Sequence, residues 1–125
     1  MDNQQKKILI VEDDQFLREF YQELLTAEGY FVDVAPDGEI ALSKLRSNEY
    51  NLALLDLMLP KKDGVQILRD LKVSPAKSSQ INIVILTNLG QDAVIKECFN
   101  LGANGYLIKS ALNPDQILTE VKSYL

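Results

Sequence analysis

ILIVEDD, residues Ile8 to Asp14, sets four consecutive aliphatic residues before three consecutive acids. A short run of Val, Ile and Leu without polar alternation reads as a strand buried on both faces. The acids mark where that strand runs out. The pattern recurs three times. NLALLD ends at Asp56, INIVILT ends at Thr87, and GYLIK ends at Lys109. Strands of this kind place their polar ends along one edge of a sheet, and in an open parallel sheet the carboxyl edge is where ligands bind. Two or three carboxylates, a hydroxyl and an ammonium gathered there suit a hard cation and a phosphoryl group.

Helix-period segments lie between the runs. Strands are expected at Lys7–Glu12, Phe31–Ala35, Asn51–Asp56, Asn82–Thr87 and Tyr106–Lys109. After the first strand Asp14 is an N-cap, and Phe16, Leu17, Phe20, Tyr21, Leu24 and Leu25 recur at helical spacing until Gly29. Asp37 caps a second helix carrying Ile40, Ala41, Leu42 and Leu45. Pro60 and Gly64 punctuate a loop, and Val65, Ile67, Leu68 and Leu71 begin a third helix. Ser74 to Gln80 is a polar loop. A fourth helix runs from Gly90 to Leu101, ended by Gly102. Asn113, Pro114 and Gln116 form a strong start for the last helix, which presents Ile117, Leu118, Val121 and Leu125. Five strands alternating with five helices predict an α/β doubly wound parallel sheet, with right-handed crossovers covering both faces.

The chain has 125 residues, 46% of them hydrophobic and 25% charged, which suits a single globular domain over 1–125. Its formal charge of -5 argues against nucleic acid as a partner of this chain alone. No apolar run is long enough for a membrane span, and the four aliphatic residues before Glu12 are too few for a signal peptide. A cytoplasmic protein is the expectation. The single cysteine, Cys98, has no disulfide partner and, with no histidine in the chain, no partner for Cys/His catalysis or zinc. It reads as apolar filler.

The stretches ILIVEDD, LLDLMLPKKDG, VILT and GANGYLIK, in this order and at these separations, resemble the receiver domain of two-component response regulators, with the fold of the chemotaxis regulators. The resemblance covers nearly the whole chain. It implies a flavodoxin-like sheet of order 2-1-3-4-5. It also implies a phosphoacceptor signalling domain rather than an enzyme, one that assists its own magnesium-dependent phosphoryl transfer and dephosphorylation. Asp56 matches the aspartate that takes a phosphoryl group from a histidine kinase or phosphotransfer protein. Glu12 and Asp13 match the acidic pair. By analogy Asp13, Asp56 and the backbone carbonyl of Met58 ligate Mg2+, with Mn2+ as a substitute, and Glu12 holds water. Lys109 matches the lysine that pairs with phosphoryl oxygens, Thr87 the hydroxyl that shifts on activation, and Tyr106 the aromatic switch. The acids are expected to have no neutralising His or Arg nearby in sequence.

Two residues depart from the family pattern. Asn88 follows the switch threonine where the family has a small residue, which bears on access to the site. Ser110 follows Lys109 where proline is common. With no proline, a cis Lys109–Ser110 bond would cost roughly 2.5–4 kcal/mol, so a trans bond is expected. The acidic pair and last-helix arginines of receivers that dimerise in the winged-helix class are lacking, with Asn104 and Gly105 in place of the pair. The ending is nearer to helix-turn-helix or single-domain receivers.

Other readings fare worse. A haloacid-dehalogenase-type phosphatase needs a second acid two residues after Asp56, where Met58 stands. A nucleotide or flavin binder needs a glycine-rich loop after the first strand. A degenerate receiver, acting as a phosphorylation-independent interaction module, remains the alternative. The fourth helix carries one stripe of Val94, Cys98 and Leu101 and a second of Ile95 and Phe99. The first suffices for docking on the sheet. The second, centred on Phe99, is expected to be partly exposed and to join Tyr106 and the last helix in a homodimer or output-partner surface.

Overall fold

The computed structural model describes residues 5–88 and 92–125. Five strands, β1 (Lys7–Val11), β2 (Phe31–Ala35), β3 (Leu52–Asp56), β4 (Asn82–Thr87) and β5 (Gly105–Ile108), form one parallel sheet of order β2-β1-β3-β4-β5. The described helices are α1 (Gln15–Ala27), α2 (Gly38–Ser47), α3 (Gly64–Val73), α4 (Asp92–Asn100) and α5 (Pro114–Ser123). This is the expected α/β fold with the expected order. Gly90, where the fourth helix was expected to begin, lies outside the described residues.

The period-two geometry of the strands sorts the core into two layers. Leu9 and Val11, Ala53 and Leu55, and Ile83 and Ile85 share one face with Leu42 and Leu45 of α2, Ile67 and Leu68 of α3, and Cys98 of α4. Ile8 and Ile10, Leu52 and Leu54, and Val84 and Leu86 share the other face with Tyr21 and Leu25 of α1 and Ile117 and Val121 of α5. Both faces are covered, which is why these strands read as unbroken apolar runs.

Each helix start has a local cause. Asp14, Asp37 and Asn113 accept from the backbone N–H three residues on, and Asn113 completes a reciprocal box with Gln116. Asp63 caps α3 in the same way, so Gly64 is the first helical residue rather than a loop residue. A Cβ at Gly64 would stand 2.8 Å from the Asp56 carbonyl oxygen. Only glycine lets α3 come that close to the end of β3.

Strand ends differ from expectation by single residues. β1 ends at Val11, β3 begins at Leu52, and β5 runs from Gly105 to Ile108. Lys109 leaves the sheet and opens a single 3-10 turn, Lys109–Ala111. The Lys109–Ser110 bond is trans, as expected without proline.

Candidate functional site

The register brings the strand ends together. Val11 lies opposite Leu55 and Asp56 opposite Leu86, while Thr87 lies opposite Ile108. Glu12 and Asp13 therefore leave β1 beside Asp56, and Lys109 arrives beyond Thr87. These side chains, with Asp14, Leu17, Met58 and Asn88, line an open pocket of about 400 Å³ at the carboxyl edge of the sheet.

One oxygen from each of Glu12, Asp13 and Asp56 lies within 4.8 Å of the other two. Lys109 reaches into the cluster from the far side. Its Nζ donates to Glu12 Oε1 at 2.5 Å and to Asp56 Oδ2 at 2.8 Å. The second oxygen of each acid is also held. The Asp14 N–H donates to Glu12 Oε2 at 3.2 Å, and the Met58 N–H donates to Asp56 Oδ1 at 3.1 Å. Glu12, at 1% exposure, is more deeply buried than any other charged residue described, and Asp13 alone of the three acids is exposed.

Burial dominates the electrostatics of Glu12. It pushes the pKa from 4.5 up to about 7, against the bonds from Lys109 and the Asp14 N–H, with help from the Asp56 charge. Burial also pulls on the Lys109 ammonium, but the bonds to Asp56 and Glu12 together outweigh it and hold its pKa above the ordinary lysine value. The site thus keeps a charged lysine beside a carboxylate that gives up its proton reluctantly.

The donor set fits a hard divalent cation. It consists of carboxylate oxygens with no nitrogen or sulfur ligand among them, and one acid faces solvent while two are shielded. Met58 lines the same pocket, 79% exposed.

Thr87 is buried at the end of β4, and Tyr106 on β5 is 43% exposed. The Tyr106 ring meets Phe99 of α4 edge-on, with centroids 6.2 Å apart. Asn88 lines the pocket, and its backbone carbonyl lies 3.4 Å from the Ser110 hydroxyl, so the two departures from the family pattern adjoin each other. On α4, Phe99 is 43% exposed as expected, but Ile95 of the same stripe is buried, as is Cys98.

One neighbour of the acids was not anticipated. Arg18 of α1 turns back and its Nη1 donates to the backbone carbonyls of Glu12 at 3.0 Å and Asp13 at 3.3 Å. The expectation that no arginine stands near the acids is therefore corrected. Its signal in the sequence was weak: a basic residue one helical turn after the Asp14 cap.

The response regulator receiver domain model matches residues 8–122. The chain belongs to the response regulator receiver family. Relatives of this receiver include the "Probable transcriptional regulator ycf27" of Pyropia yezoensis, 34% identical over all of this chain and 49% of that protein. "Transcriptional regulatory protein CpxR" of Klebsiella pneumoniae is 37% identical over 95% of this chain and 49% of its own length. The receiver spans about half the length of the curated relatives it matches. Among solved structures, chemotaxis protein CheY4 of Vibrio cholerae superposes with a TM-score of 0.86 at 26% identity, covering 98% of this chain and all of that one. A CheY-like receiver from Methanospirillum hungatei gives 0.85 at 30%, covering 96% and 93%. The receiver is thus a two-component signalling domain. No described helix is long and apolar enough to cross a membrane.

Proposed function

We propose that this receiver accepts a phosphoryl group on Asp56 from a histidine kinase or phosphotransfer protein, in the cytoplasm, as a single domain over residues 1–125. The observation that carries this reading is the position of Asp56. Its carboxylate is shielded at the end of the central strand, one oxygen on Lys109, with Glu12 and Asp13 beside it. An aspartyl phosphate is a mixed anhydride and needs a sheltered, cation-stabilised place.

In the transfer, an Asp56 carboxylate oxygen bonds to phosphorus while the phosphorus–nitrogen bond of the donor phosphohistidine breaks, its electron pair returning to the imidazole. Asp13, Asp56 and the Met58 carbonyl would hold Mg2+ or Mn2+, with Glu12 ordering its water. Bound there, the ion would supply positive charge that offsets the negative charge of the transferring phosphoryl group. Lys109 supplies a second cation, already in hydrogen-bond contact with Asp56. Thr87 bonds a phosphoryl oxygen and shifts, and Tyr106 follows. That movement reshapes the α4–β5–α5 surface on which Phe99 and Tyr106 stand, for a homodimer or an output partner. The receiver also assists its own dephosphorylation by water, and Asn88 at the pocket wall sets access for that water.

The test is incubation with a small-molecule phosphodonor and Mg2+, read by intact mass. Wild type gains one phosphoryl group, and the nearly isosteric Asp56→Asn variant gains none. A folded wild type that gains none under these conditions would be the degenerate, phosphorylation-independent module instead.

A further inference from the structure

Arg18 spends its charge in an unusual way for a cation beside an acid cluster. Both of its bonds near the site go to backbone carbonyls, those of Glu12 and Asp13, rather than to the carboxylates. One guanidinium nitrogen thereby ties together the two residues that carry the chain from β1 into α1. The guanidinium is fixed in direction, and Arg18 itself is anchored in α1 by its N–H on the Asp14 carbonyl at 2.9 Å. Across the same turn, the Asp14 N–H holds Glu12 Oε2 and the Asp14 carboxylate caps the Leu17 N–H.

We infer that Arg18 is a positioning residue for the acidic pair. It clamps the Glu12–Asp13 backbone so that both carboxylates stay within reach of Asp56, and so sets divalent-cation affinity without touching the ion. The inference rests on the reading of Glu12, Asp13 and Asp56 as a magnesium site. The physical reason is that three mutually repelling carboxylates would drift apart if the turn carrying two of them were free. Residues that orient ligands in this way affect metal affinity strongly.

Charge and clamp predict opposite signs. Arg18→Ala removes a positive charge from the turn that carries two of the acids, which by Coulomb's law alone would tighten binding of a divalent cation. Loss of the clamp loosens it. Calorimetric titration of Mg2+ into metal-free wild type, Arg18→Ala and Arg18→Lys, each shown folded by circular dichroism, separates the two. The expected result is an affinity lower by about tenfold for Arg18→Ala. Arg18→Lys, which keeps the charge on a shorter reach, falls between. Unchanged or tighter binding by Arg18→Ala overturns the inference, as does an Arg18→Ala loss that Arg18→Lys does not partly recover. A second readout needs no metal. Amide exchange at Asp14, whose N–H is held by Glu12, is faster in Arg18→Ala than in wild type if Arg18 holds the turn, and equal exchange overturns the inference. Wild type that binds no Mg2+, with Asp14 exchange still faster in Arg18→Ala, contradicts the magnesium reading while leaving the clamp standing.

Discussion

Lys109 lies between two buried carboxylates, and its removal exposes what each of them costs. Its side chain is 8% exposed and bonds both Glu12 and Asp56. Removing one member of a buried ionic group leaves uncompensated charge and destabilises by about 3–5 kcal/mol. Glu12 softens the loss, because burial has already raised its pKa to about 7. The native state holds that proton more tightly than the unfolded chain, so in metal-free protein Glu12 makes stability fall as pH rises from about 4.5 through about 7. Lys109→Ala is therefore expected to lose about 3 kcal/mol in urea unfolding near pH 8 and clearly less near pH 5.5, where Glu12 takes up a proton. An equal loss at both pH values would mean that Glu12 does not titrate in this range. The residues of this cluster were legible in the sequence because each ends an apolar run. Arg18 was not, because it bonds backbone carbonyls, and no pattern of side chains shows where a carbonyl points.

Between elements, the loop after β3 is braced by the start of α2. The Gly38 N–H lies 3.3 Å from the Pro60 carbonyl oxygen, Lys61 has a positive φ of 68°, and Lys62 pairs with Asp70 of α3. A Cβ at Gly38 would fall 1.7 Å from the Lys62 carbonyl oxygen. Helix propensity favours alanine over glycine by up to about 1 kcal/mol. The clash runs the other way and involves backbone, which yields poorly, so Gly38→Ala is expected to destabilise by about 1–3 kcal/mol in urea. A neutral or stabilising result would mean that the 60–62 loop moves aside at little cost. The sequence announced α2 and its Asp37 cap, yet it showed nothing of this contact, which joins residues more than twenty positions apart. Long-range approach also explains α4. Ile95 and Phe99 share a helical stripe, but Ile95 is buried and Phe99 is not. The periodicity marks both as apolar without saying where the neighbouring elements stop. The inner strands β1, β3 and β4 were the most legible, because burial on both faces leaves runs that no helix in the chain resembles.

At the scale of the molecule, the sheet separates two jobs. Its carboxyl edge holds the acids, and its β5 flank presents Tyr106 and Phe99, each 43% exposed and stacked edge-on. Phosphorylation at the first is proposed to alter association at the second. Light scattering of wild type and Phe99→Glu, with and without phosphodonor, checks this. The expected result is a phosphorylation-dependent rise in mass, for the protein alone or with its output partner, that Phe99→Glu lacks. A rise that survives Phe99→Glu would move the surface elsewhere. The relatives named as transcriptional regulators are about twice as long as this chain. All of this depends on Asp56 being the acceptor. Borohydride reduces an acyl phosphate and leaves free carboxylates intact, which converts a phosphorylated aspartate to homoserine. After treatment with phosphodonor and Mg2+, then borohydride, peptide mass spectrometry is expected to find homoserine at position 56 and aspartate at positions 13 and 14. Homoserine at either of those positions with Asp56 intact, or aspartate at all three in a folded protein, would contradict the account.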